Sequence, residues 1–244
     1  MVTWCDTLWN CGVDHVVVTG NLTWAGRQSQ LSSFRRLFDS FQSSSRLTVV
    51  PGNHDRQGDD LGRAIQGGPA VSVVSAPGLH LVRFDSTGGD DRAPPREQGR
   101  MTDRNGEAIV DAVAAAPPGR LVVLLMHHPI LALLSEHGPE RLLSWLGRSY
   151  EQDLERGRAL LRGLRGRCDL VLHGHGGAAT IAQPFAQDER RLLVLGGGSS
   201  GALGRARVLW HHQGRLVGEP GWLVASASGS STAARPGCLQ PASA

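Results

Sequence analysis

The chain has 244 residues, 40% hydrophobic and 19% charged, with a net charge of +3. That length carries one well-buried core, and with no apolar run of about 18 residues a transmembrane helix is not expected. Every basic residue is arginine, and the arginines are scattered rather than massed, which argues against a dedicated nucleic-acid surface. Cys5, Cys11, Cys168 and Cys238 show no CxxC spacing. They read as reduced thiols of a cytoplasmic protein, not as a disulfide framework or zinc cluster. Met1 to Gly12 lacks the basic-then-apolar layout of a secretory signal.

Residues 1 to 14 are mixed, with Trp4 and Trp9, and read as a helix end leading into a strand. The β-branched run His15 to Thr19 predicts a strand buried on both faces. Gln28 to Phe41 places Leu31, Phe34, Leu37, Phe38 and Phe41 at helical spacing, so one amphipathic helix is expected. Leu47 to Val50 is the next strand, and the strand–helix–strand order suggests a parallel βαβ unit. A short helix is expected around Leu61 to Ile65. Val71 to Ser75 and Leu79 to Phe84 read as a hairpin joined at Ala76-Pro77-Gly78.

A polar loop follows from Asp85 to Gln98. Asn105 to Ala116 is a helix stopped by Pro117-Pro118-Gly119. Leu121 to Met126 is a strand, Glu140 to Trp145 a short helix, Asp153 to Leu164 an amphipathic helix, and Asp169 to Leu172 a strand. Arg191 to Leu195, Ala206 to Trp210 and Arg215 to Val217 look like an antiparallel meander, with His211-His212-Gln213-Gly214 as a turn. Residues 226–244 are Ser/Ala/Pro-rich and read as a disordered tail. One domain is therefore expected over residues 1–225.

Four apolar runs stop at a polar, potentially ligating residue: Val16 to Thr19 before Gly20-Asn21, Leu47 to Val50 before Pro51-Gly52-Asn53-His54-Asp55, Leu121 to Met126 before His127-His128-Pro129, and Leu170 to Leu172 before His173-Gly174-His175. Functional side chains gather at the carboxyl ends of strands in α/β sheets. Imidazoles and amide oxygens are acceptable ligands for a divalent metal, so Asn21, Asn53, His127 and His175 are the candidate shell. His54 stands beside it as a candidate acid, with Asp55 expected to fix its tautomer.

These motifs resemble those of the calcineurin-like metallophosphoesterases, and within them the bacterial members similar to cyclic-nucleotide phosphodiesterases. The resemblance rests on Thr19 to Thr23, Pro51 to Asp55, Met126 to Pro129 and Gly174 to Gly177. It implies an α/β fold, a two-sheet β-sandwich core flanked by helices (αββα), here without its first strand, so that the domain is N-terminally incomplete. It also implies a two-metal centre that hydrolyses phosphomonoesters or phosphodiesters. Asn53, His127 and His175 match ligands of the second metal, and His54 matches the residue that meets the substrate phosphate.

Three family features are missing. No Asp-x-His precedes Thr19, the bridging aspartate position holds Asn21, and the final histidine position holds Gly177. All three losses fall on the first metal. The expectation is one weakly held divalent metal, zinc or manganese, no dinuclear centre, and impaired activity on a phosphoester or nucleotide small molecule. The alternative is a non-catalytic nucleotide-binding, phosphate-binding or protein-interaction module on the same fold. Neither specific nucleic-acid binding nor a membrane is expected.

Lesser candidates are His128, as a substrate contact or core residue, and the pair His211-His212. His173 reads as structural, and so does Asp85 in Phe84-Asp85-Ser86. Gly196 to Gly201 lacks the Lys of a P-loop and reads as a flexible loop. No Gly-x-Ser-x-Gly elbow is present.

Overall fold

The structure, a computed structural model, describes residues 4–88, 101–130, 147–176 and 178–224. Its centre is a six-stranded sheet in the order β3-β4-β5-β6-β8-β7: β3 Val71–Ala76, β4 Leu79–Phe84, β5 Leu121–Met126, β6 Leu170–His173, β8 Leu193–Gly196 and β7 Thr180–Ala182. β4, β5, β6 and β8 run parallel, while β3 and β7 are antiparallel edges.

Side chains of a strand alternate between its two faces, and both faces of β5 are buried. Val122, Leu124 and Met126 pack with Ile109 and Val113 of α5 (Asp103–Ala114) and with Leu160, Leu161 and Leu164 of α6 (Gly147–Leu164). Leu121, Val123 and Leu125 face the other way. There they meet Val17 of β1 (Val16–Thr19), Val50 of β2 (Leu47–Val50), Leu209 of β9 (Arg205–His212) and Leu216 of β10 (Arg215–Val224). This second β layer is two separate pairs, parallel β1–β2 and antiparallel β9–β10. Leu31 of α2 (Gln28–Leu37) packs with Leu61, with Ile65 of α4 (Gly62–Gln66) and with Val49. The order helices, sheet, split sheet, helices is the expected αββα sandwich.

Several local expectations need correction. The helix from Gln28 ends at Leu37, and a second one, α3, runs Asp39–Ser43. The turn at Phe38 re-aims Phe41, which is 1% exposed and meets Trp9 of α1 (Trp4–Asn10) edge-on at 5.3 Å. The meander holds only for its last two strands, β9 and β10; β8 is fully buried and pairs parallel with β6, as a continuous apolar run favours. His211 and His212 lie on β9, and the turn is Gln213-Gly214 alone. Both turn residues have positive φ, 48° and 75°, the requirement of a two-residue hairpin turn. β10 continues past Gly218 and Pro220 because its register shifts between Val217 and Gly221, a bulge that absorbs the breakers. The edge strand β7 was missed because it is only three residues long and mostly exposed. The expected helix from Glu140 to Trp145 and the tail beyond residue 225 lie outside the described residues.

Leu164 is fully buried between α6 and the sheet. Leu164→Ala should lower stability by about 2–5 kcal/mol, read from urea midpoints. Val73→Thr, on the exposed side of edge strand β3, should change it by less than about 0.5 kcal/mol.

Candidate metal centre

Strand register brings the motif loops together. Thr19 pairs with Val50, and Met126 with His173, so each pair of strands ends level. The next residues are Gly20 and Pro51 in one layer, and His127 and Gly174 in the other. The Gly174 N–H donates to the His127 carbonyl at 3.0 Å. Glycine is required on both sides of the His127 ring. A Cβ on Gly20, whose φ is +100°, would lie 2.3 Å from His127 Nδ1, and one on Gly174 would lie 2.4 Å from the Thr19 carbonyl oxygen.

His127 is 1% exposed. Its Nδ1 lies 2.8 Å from the Thr19 carbonyl and its Nε2 lies 2.9 Å from Asn53 Oδ1. Burial pushes its pKa down to about 4, with a smaller lowering by His175 and His54. The ring is therefore neutral near pH 7. A carbonyl only accepts, so the one hydrogen sits on Nδ1 and the Nε2 lone pair points at Asn53. As placed, two acceptors face each other at 2.9 Å. Either the amide turns its NH2 inward, or a cation sits between them.

His128 and His175 close the cluster. The His127 and His175 ring centroids are 5.2 Å apart, and those of His128 and His175 4.7 Å. One imidazole nitrogen from each of His127, His128 and His175 lies within 4.8 Å of the others. His128 is 2% exposed, and its pKa is pushed down to about 3 by burial, then by His127 and His175. Its Nδ1 lies 3.0 Å from Ser86 Oγ. Sequence reasoning placed His128 outside the metal shell, as a substrate contact or core residue, and gave no role to Ser86, whose only signal was its place in Phe84-Asp85-Ser86 at a strand end.

Asn21 has φ 55°, and its Oδ1 accepts from the His54 N–H at 3.1 Å. Asn21, Asn53 and His54 thus meet across the ends of β1 and β2. The expected pairing of His54 with Asp55 is not what the structure shows. His54 Nδ1 is 2.8 Å from the Trp24 carbonyl, and its ring lies 4.9 Å from the Trp24 ring. Asp55 is fully buried, and both its oxygens are occupied by the N–H groups of Gly52, Leu22 and Thr23 and by the Thr23 hydroxyl, at 2.7–3.2 Å. It clasps the β1 loop to the β2 loop. No sequence pattern marks a backbone carbonyl such as that of Trp24 as the partner.

Other candidates fall away from the site. Asp85 accepts from Thr87, Gly88 and Arg56, and Arg56 also bonds Asp60 and Thr87. His173 Nδ1 closes on the Gly174 carbonyl at 2.9 Å. Gly196 to Gly201 leads into a one-turn helix, α7 (Ser200–Leu203).

A family model, calcineurin-like phosphoesterase, matches residues 2–176. The chain belongs to the calcineurin-like phosphoesterase family. No curated protein matches it. Among solved structures it is similar to the sulfate thiohydrolase SoxB of Thermus thermophilus in complex with glycerol, at 14% identity and a TM-score of 0.45. That match covers 85% of this chain and 38% of SoxB.

The family is metal-dependent, and the donors present suit a metal: clustered imidazoles, of which His127 and His128 are held neutral by burial, and a His127 lone pair held against the Asn53 amide. The Thr19 carbonyl fixes the tautomer of His127, as an outer partner does for a histidine that ligates a metal.

Asp55→Ala strips the acceptor from four donors, three of them in buried hydrogen bonds, so it should destabilise the metal-free protein by at least about 3 kcal/mol in urea unfolding; unchanged stability would leave Asp55 a purely catalytic role. The unfolded chain protonates its histidines near pH 6.5, whereas folded His127 does so near 4 and His128 near 3. Unfolding therefore takes up protons in that window, and stability falls as pH drops from 6.5 toward 4. With a chelator present the urea midpoint should decline across this window, and decline less in His127→Gln.

Proposed function

We propose that this chain is a phosphoester hydrolase built on a single-metal site. Asn53, His127 and His175 hold one zinc or manganese, with Asn21 beside them. The observation that carries the reading is the neutral His127, anchored through Nδ1 on Thr19 and directing Nε2 at Asn53. A bound divalent ion supplies Lewis acidity, which activates water and polarises the phosphoester.

The chain's own residues set the rest of the chemistry. His54 keeps its Nδ1 hydrogen on the Trp24 carbonyl, so in its imidazolium form the second proton, on Nε2, is the one passed to the departing oxygen, leaving the neutral Nδ1–H ring behind. Asn21 holds the His54 backbone in place. Among the described residues no carboxylate joins the donor set, so that shell brings no formal charge to a dication. Amide oxygens are weak zinc ligands beside imidazole, and the consequence is weak uptake and slow turnover. Substrates are small phosphomonoesters or phosphodiesters, nucleotides among them, and the protein works in the cytoplasm. The same neutral shell favours a second reading, a phosphate-binding module without turnover.

Hydrolysis of bis-p-nitrophenyl phosphate with added manganese or zinc separates the two. The enzyme reading expects slow, metal-dependent turnover, lowered by about 10²–10⁴-fold in His54→Ala with metal uptake retained. His127→Ala should lose both metal and turnover. Absence of turnover together with measurable phosphate binding would establish the second reading, and turnover indifferent to His54→Ala would remove His54 from the chemistry.

A further inference from the structure

We propose that His128 is not a third metal ligand but a hydrogen-bond donor to a phosphate oxygen of the substrate. The inference rests on the phosphoesterase reading of the site and names what one of its buried groups binds. It stands on hydrogen-bond arithmetic around Ser86.

A hydroxyl has two lone pairs and one hydrogen. Ser86 Oγ accepts from the His127 N–H at 3.3 Å and from the His128 N–H at 3.0 Å, which fills both lone pairs. Its hydrogen then goes to His128 Nδ1, at 3.0 Å. No room is left there for a hydrogen on Nδ1, so the ring hydrogen of His128 sits on Nε2. A nitrogen that carries hydrogen has no lone pair for a metal.

The Ser86 turn is held firmly. Asp85 beside it accepts from the Thr87 N–H at 3.0 Å, the Gly88 N–H at 3.1 Å and the Thr87 hydroxyl at 2.6 Å. Ser86 is 2% exposed. It is a positioning residue that sets the His128 tautomer.

His128 Nε2 is buried and, among the described residues, has no hydrogen-bond partner. Buried donors are almost always satisfied. This one belongs to the cluster with His127 and His175, whose rings lie 4.9 and 4.7 Å from its own. The acceptor that fits an N–H at this place is an anionic oxygen of a ligand drawn to the same centre, and a phosphoester has such oxygens to spare beyond those a single ion can engage. His127 shows the opposite tautomer, Nδ1–H on Thr19 with Nε2 bare. Adjacent residues thus present one lone pair and one N–H to the same site.

Long-range proton–nitrogen correlation spectra of the metal-free, nitrogen-15-labelled chain decide the tautomer directly, with signals assigned by their loss in His128→Gln and His127→Gln. His128 should show Nε2–H, His127 should show Nδ1–H, and Ser86→Ala should abolish the His128 preference. His128→Gln should then keep the zinc content of the native chain by elemental analysis, while its Kd for inorganic phosphate in the presence of zinc rises about ten-fold or more. A His128 Nδ1–H signal, or loss of zinc in His128→Gln, overturns the proposal. A native chain that takes up no zinc at all overturns the metal reading instead, and the tautomer alone then decides for or against His128 as a donor.

Discussion

The contact between the Thr19 carbonyl and His127 Nδ1 holds the site together. Its partners are 108 residues apart, one at the end of β1 in the split layer and one just past β5 in the central sheet. The bond spans the two layers of the sandwich at the point where their strands end. It also decides where the His127 hydrogen lies, and hence which nitrogen can ligate. Gly20 and Gly174 exist around this bond, since a side chain at either would strike the ring or the carbonyl. Fold geometry and ligand chemistry are thus the same constraint.

Around that bond the site is unusual in its neutrality. His127 and His128 are buried and discharged, Asn21 and Asn53 offer amides, and Asp55 faces away into a web of backbone N–H groups. A carboxylate would attract a dication over several ångströms, whereas amides do so only on contact. The single ion we propose would be held mainly by imidazole, with lower affinity and a less acidic water than a carboxylate-rich centre gives.

Strand composition made the scaffold legible before any coordinates. β5 is read residue for residue, because a fully apolar run of that length between a Pro-Gly stop and paired histidines leaves little choice. Asn21, Asn53, His54, His127 and His175 stand out as candidates for the same reason: each follows a strand that ends abruptly. What stayed hidden depends on tertiary partners. Asp55 sits next to His54 in sequence yet serves Leu22 and Thr23, more than 30 residues away. Trp24 orients His54 through a carbonyl, which every residue possesses. The roles of His128 and Ser86 require knowing that β4 lies beside β5. The placement of β8 in the central sheet likewise turns on pairing with β6 rather than on its own sequence.

We propose a centre for one metal, assembled on His127. Equilibrium dialysis of the native chain against zinc or manganese, followed by elemental analysis, tests it most directly. One ion per chain, released readily by a mild chelator, is the predicted result. Two ions per chain, or none at saturating metal, would contradict it.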